Sequence, residues 1–221
     1  MLIKEKKPEL VFLMETKLLY TKACRISKRF RFQGCVVVEA VGREGGGGLM
    51  LMWKEESMVE LINYSQYHIN VRMSDESGSN RWLLSYFYGH PVTSLRNKTW
   101  SLLSSFKPAV GGWGIIGDFN EVLYSDEKEG GNPRSEYLMR QFREVMEEGS
   151  LCDLGWARNK FTWSNCHEDE SFTKERLDRA IANVDWKSLY PVHTVETLPA
   201  ICSDHSPILL DFSIERCSLR R

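Results

Sequence analysis

Short apolar runs constrain this chain more than any other feature. They fall at residues 11–14, 35–38, 49–53, 58–64, 68–73, 82–88, 113–116, 161–163, 176–181 and 208–212. Most are rich in the β-branched and aromatic residues that suit a pleated, half-buried strand. His68-Ile69-Asn70-Val71-Arg72-Met73 alternates, which predicts a strand with one wet face. Trp82-Leu83-Leu84 and Gly114-Ile115-Ile116 are continuous and read as buried on both faces. Helices intervene only rarely. Residues 135–148 put Leu138, Met139, Phe142, Val145 and Met146 on one face, with Asn132-Pro133 before them and Gly149 after as start and stop signals. Residues 95–106 space Trp100, Leu103 and Phe106 helically behind the candidate caps Thr93 and Ser94, and a third helix is expected over 16–30. Many strands with few helices predict an α+β or α/β chain, its sheets packed together and its helices outside.

A length of 221 residues is enough for one ordinary domain, and 1–221 is read as a single unit with a short tail at 213–221. Lys and Arg total 29 against 30 Asp and Glu, a formal charge of −1, which excludes a wholly electrostatic nucleic-acid binder while leaving room for a local basic patch. No apolar run approaches the roughly 18–20 residues that cross a bilayer, and charges flank the short Val11-Phe12-Leu13-Met14 run, so neither a membrane span nor a secretory signal is expected. The six cysteines show no zinc-ligand spacing and read as free thiols, with Cys35 and Cys202 as small core residues. Cys24, Cys152, Cys166 and Cys217 receive no role. The glycine run at 45–48 lacks a following Lys-Ser/Thr and leads into a strand-like Leu-Met-Leu-Met-Trp, so it is read as a turn and not a phosphate loop.

Charge is uneven along the chain. Between residues 16 and 31, Lys17, Lys22, Arg25, Lys28, Arg29 and Arg31 occur without an acid, the best candidate for phosphate-backbone contact, though a solvated helix face has the same composition. Acids and one histidine gather at the ends of apolar runs: Glu15 after Met14, Asp118 and Asn120 after Ile116, Asp178, and Asp204-His205 before Ile208. Polar groups at strand ends can converge on one rim of a sheet. Glu15 offers the hard oxygen that suits Mg²⁺ or Mn²⁺. Asp118 and Asn120, two apart, can point the same way from an extended chain. Adjacent Asp204 and His205 tend to point apart, so a carboxylate that orients His205 is expected elsewhere, with Asp178 as the candidate. His68, His90, His167 and His193 are given no role.

These segments resemble the endonuclease/exonuclease/phosphatase superfamily, and in particular the endonuclease domain of plant LINE-type non-LTR retrotransposons. The resemblance rests on LVFLMETKL (10–18), FYGHP (87–91) followed by Arg96 and Trp100, IIGDFNEVLYSDEKEGG (115–131), FTWSN (161–165), ERLDRAIAN (175–183) and SDHSPIL (203–209). It implies a four-layered sandwich of two mainly antiparallel sheets flanked by helices, with the site at one end, and Mg²⁺- or Mn²⁺-dependent hydrolysis of DNA. By the resemblance, Glu15 holds the metal with Asp204 beside it. Asp118 orients and deprotonates water with help from Asn120. Tyr88 and His205 bind the scissile phosphate, and Asp178 orients His205. Trp163 and Asn165 match a segment on the family's DNA-facing rim, although for Trp163 a place in the core is an equal expectation; charge composition, not the resemblance, adds Lys17, Lys22, Arg25, Lys28 and Arg29 as candidate DNA contacts.

Family members open with a strand that carries an Asn-x-Arg-Gly-type segment. Here only MLIKEKKPEL precedes the first apolar run, so that strand is expected to be absent. Three readings follow: a DNA endonuclease, an inactive relic with at most weak nucleic-acid binding, and a phosphatase of a small phosphorylated molecule. Each is expected to be an intracellular protein without a membrane or obligate protein partner, with the nucleus as one candidate compartment.

Overall fold

A computed structural model of the chain describes residues 2–40, 48–55, 58–75 and 78–213. Gly45, Gly46, Gly47, Cys217 and the tail from 214 onward lie outside the described residues. The long apolar runs form a six-stranded sheet in the order β4 (Val59–Ser65), β5 (His68–Ser74), β6 (Arg81–Tyr88), β7 (Trp113–Asp118), β12 (Asp178–Asn183) and β9 (Leu151–Asp153). All its neighbours are antiparallel except β6 and β7, which α3 (Arg96–Ser104) connects as a crossover. Trp100 and Leu103 of α3, with Phe142 and Met146 of α4 (Glu136–Glu148), pack on the outward residues Phe87, Trp113, Ile115 and Ile181.

The opposite face of this sheet meets β1 (Leu10–Met14), β2 (Gly34–Val38) and β3 (Leu49–Trp53), ordered β1-β3-β2, and the hairpin β13 (Val192–Thr197) with β14 (Ile208–Ser213). The basic helix α2 (Tyr20–Arg29) covers the outside of the three-stranded sheet through Ala23. A four-layered α+β sandwich results. The short α1 (Leu2–Lys6) sends Lys6 to Glu196, 3.0 Å away, and so links the two half-sheets.

Those half-sheets leave a gap about one strand wide. β3 packs over β5 and β14 over β12, while Phe12 of β1 meets Tyr86 of β6 with ring centroids 5.1 Å apart. Strands lie about 4.8 Å apart, so β5 and β12 are separated by about 14 Å, of which β3 and β1 take one spacing and leave about 10 Å between β1 and β14. The strand beneath the gap is β7, whose Ile116 is only half-buried between buried Ile115 and Gly117. The Lys54 N–H bond to the Glu9 carbonyl fixes the ladder phase, so the N–H and C=O groups of Leu10, Phe12 and Met14 point into the gap. The Leu198 N–H bond to Pro207 does the same for Ile208, Leu210 and Phe212. No described strand pairs with either edge, as expected of a layer that lacks an internal strand.

Several local expectations change. The expected wet face of β5 survives only at Arg72; His68 and Asn70 are buried, because Phe106 covers His68 with ring centroids 4.2 Å apart and Asn63 bonds both His68 and Asn70. Burial lowers the His68 pKa to about 4. Thr93 and Ser94 form a 3-10 turn instead of capping α3. The expected strand at 161–163 shrinks to β10 (Trp163–Ser164), in a small sheet with β11 (Lys174–Glu175) and β8 (Lys128–Glu129). The third helix begins at Tyr20, not residue 16. Cys202 is exposed on a loop instead of lying in the core, and Cys35 is half-buried.

Candidate active site

Tyr88 and Asp118 end the parallel strands β6 and β7 and are register partners, so their side chains leave the sheet at the same edge. Close approach of the two chains demands glycine here. A Cβ on Gly117 would meet the Phe87 carbonyl oxygen at 1.8 Å, and one on Gly89 the Phe119 oxygen at 2.4 Å. β12 begins at the same rim, which sets Asp178 directly across from Asp118. Thr162 Oγ1 accepts the N–H groups of Leu177 and Asp178 at 3.0 and 2.9 Å and fixes that strand start.

The histidine arrives from the loop before β14. Ser164 N–H bonds to Asp204 O at 3.0 Å and Ser206 N–H to Thr162 O at 2.6 Å, so the loop is stitched to β10. His205 Nδ1 then lies 2.8 Å from Asp178 Oδ2. Burial alone would lower its pKa, but the bond to Asp178 and that carboxylate's charge raise it to about 9. Asp118 is 3% exposed, and burial, with Asp178 beside it, pushes its carboxyl up to about 7. Near neutrality the site therefore holds a cationic imidazole and a carboxylate close to half-ionised, a useful pairing for a general base.

Asn120 follows at φ 55, a left-handed conformation uncommon outside glycine. Its N–H donates to Asp118 Oδ1 at 2.7 Å, and its Nδ2 donates to Gly89 O at 2.8 Å and Asp118 Oδ2 at 3.0 Å. Glu15 also has positive φ, 51°, just past the end of β1. Tyr88 O–H donates to its Oε1 at 2.6 Å. Burial first, and this carboxylate second, raise the Tyr88 pKa, so the phenol stays protonated and remains a donor. Six of the residues singled out from the sequence (Glu15, Tyr88, Asp118, Asn120, Asp178, His205) thus meet at one end of the sandwich.

Asp204 adjoins His205 and accepts from Trp163 Nε1 at 2.9 Å. Burial would raise its pKa, but the Trp163 bond and the His205 charge hold it below the usual carboxylate range. Trp163 is half-buried: it packs beside Val122, Met139 and Leu177, as the core expectation has it, and its N–H is donated to Asp204. Asn165 is spent on its own loop, donating to Ser171 O and accepting from Thr173 N–H. Lys17, Lys22, Arg25, Lys28 and Arg29 are all exposed.

Sequence spacing missed Thr162 and a buried charged group behind Asn120 made of Arg96, Glu121, Arg134 and Glu175. Its partners lie 13 to 41 residues apart and leave no local pattern, although Arg96, Glu121 and Glu175, like Thr162, stand in the marks quoted from the sequence.

Among the described residues no group of three or more His, Cys, Asp or Glu side chains converges to cage a metal ion, and no helix is long and apolar enough to cross a membrane. No family model matches the chain, and no curated protein does. Solved structures do. The 3′ phosphatase NExo from Neisseria, bound to product DNA hairpin, superposes with TM-score 0.70 at 15% identity, covering 96% of this chain and 91% of that one. The endonuclease domain of TRAS1, a telomere-specific non-LTR retrotransposon, gives 0.66 at 12% identity over 97% and 89%. AP endonuclease LMAP from Leishmania major gives 0.66 at 16% identity over 93% and 78%. The chain has the endonuclease/exonuclease/phosphatase fold that these proteins share.

Proposed function

We propose that this chain is a DNA endonuclease, retrotransposon-derived and of LINE type, that hydrolyses a phosphodiester with Mg²⁺ or Mn²⁺. One observation carries the reading: a His205–Asp178 pair, a near-neutral Asp118 and a Tyr88–Glu15 pair share one rim. The protonated His205 offers a fixed cation to a phosphate oxygen, and Tyr88 offers a second donor. Asp118 accepts the proton of an attacking water, and the Asn120 bonds hold that carboxylate in place.

The donor set suits Mg²⁺, a hard ion that usually keeps several waters and takes one or two carboxylates with substrate phosphates, not a full protein cage. Glu15 would hold it, with Asp204 beside it; when bound, such an ion offsets charge on the phosphate oxygens. The acidic rim needs cationic help to take a polyanion, and the exposed row from Lys17 to Arg29 supplies it. The second reading is an inactive relic with at most weak nucleic-acid binding, supported by the outer edges of β1 and β14, which pair with no strand among the described residues.

The test is supercoiled plasmid with purified protein in Mg²⁺ and in EDTA. Nicked circles in Mg²⁺ alone are expected. Phosphate release from an inositol phosphate without plasmid nicking would move the assignment to a small-molecule phosphatase.

A further inference from the structure

Behind Asn120, a buried charged group joins three segments of the site. Arg96 Nη1 lies 2.8 Å from Glu121 Oε2, and its Nη2 reaches Pro91 O at 3.4 Å, just past Tyr88. Lys128 Nζ lies 2.5 Å from Glu175 Oε1, three residues ahead of Asp178. Arg134 stands between the two carboxylates. Its Nε donates to Glu175 Oε1 at 3.0 Å, its Nη2 bonds the other oxygen, and its Nη1 lies 3.7 Å from Glu121 Oε1. Glu121 has Arg96 and Glu175 has Lys128 as partners besides Arg134. Neutralising these two acids therefore does not require Arg134.

What Arg134 adds is aim. Its Nη1 points at the Asn120 carbonyl oxygen, 3.5 Å away. That carbonyl belongs to the strained left-handed residue whose N–H and Nδ2 hold Asp118. A strained turn persists only where its surroundings over-determine it. A planar guanidinium can reach Glu175 and this carbonyl together, which the single ammonium of lysine cannot do in the same geometry.

We propose that Arg134 is a positioning residue: it holds the Asn120 carbonyl, and through that turn the orientation of Asp118, against Glu175 of β11, three residues ahead of Asp178. This rests on the phosphodiesterase reading of the site. The two are separated by pairing an activity measurement with one that needs none.

Arg134→Gln and Arg134→Lys are compared with wild type for plasmid nicking in Mg²⁺ and, without metal, for hydrogen exchange at the Asn120 amide, which donates to Asp118 Oδ1, and the Val122 amide, which donates to Glu121 Oε1 at 3.1 Å. Arg134→Lys keeps the charge, so its circular dichroism and melting should match wild type even if Arg134→Gln folds poorly. Both variants should lose about tenfold to a hundredfold in kcat with KM nearly unchanged, the scale of a small misplacement. Exchange at both amides should speed up by about tenfold as the turn loosens. Unchanged exchange in the variants, or full recovery of kcat and protection by lysine, would overturn the proposal. Wild type that fails to nick would refute the function alone, and exchange would still decide the role of Arg134.

Discussion

Asp118→Asn should make this protein more stable and less active. Burial beside Asp178 raises the Asp118 carboxyl from 3.8 to about 7, equivalent to about 4 kcal/mol against its ionised form. The neutral acid is favoured in the folded state, so this stability is fully present below pH 3.8 and lost as pH rises through about 7. An amide cannot ionise and escapes the loss. Its one carbonyl oxygen can accept only one of the two Asn120 bonds, at 2.7 and 3.0 Å to the two carboxylate oxygens, and it turns an NH₂ toward the other donor, a conflict of about 1–2 kcal/mol. The net gain at pH 8 is about 2 kcal/mol, and near pH 4 it vanishes or reverses. Urea unfolding of both proteins in EDTA at the two pH values measures it. A variant less stable than wild type at pH 8 would mean that Asp118 ionises without strain, and the argument for a poised base would fall.

Nicking should rise through about pH 7 as Asp118 ionises and fall above about pH 9 as His205 loses its proton, read from initial rates across that range. A flat profile would contradict both assignments. Asp118→Ala should reduce nicking by roughly 10²–10⁴-fold, the usual share of general-base catalysis, without weakening DNA binding by filter retention. Replacing Lys22, Arg25, Lys28 and Arg29 with Ala should flatten the dependence of log Kd on log salt by up to about four contacts' worth, and an unchanged slope would remove α2 from the DNA interface. The open edges predict alternating hydrogen exchange: fast at Leu10, Phe12 and Met14 and at Ile208, Leu210 and Phe212, slow at Val11, Leu13, Leu209 and Asp211. Uniform protection would show that something closes the gap.

The strands that carry the site were legible because each is apolar and ends on a polar residue. Met14-Glu15, Ile116-Gly117-Asp118 and the Leu177-Asp178 start are visible as written. Helix α4 was equally plain, since Met139, Phe142 and Met146 recur at helical spacing. Short elements were not. The six residues of α5 (Val184–Leu189) are too few to show a period, although Asn183 caps it by accepting from the Trp186 N–H. β13 was missed because His193, Thr194 and Glu196 dilute its two valines. The wet face expected for β5 failed at His68 because what covers a strand is decided elsewhere in the chain, here by Phe106. Long-range ion pairing hid Arg134, and the Glu121 partner of Arg96, for the same reason. Left-handed turns at Glu15 and Asn120 also carry no glycine to announce them.

The central claim is that His205 and Asp178 form a catalytic pair and not merely a buried ion pair. Plasmid nicking in Mg²⁺ by wild type, His205→Ala and Asp178→Asn, with circular dichroism showing all three folded, tests it most directly. The account predicts nicked circles from wild type and a loss of orders of magnitude in both variants. Nicking that survives His205→Ala undiminished, in a folded protein, would contradict it.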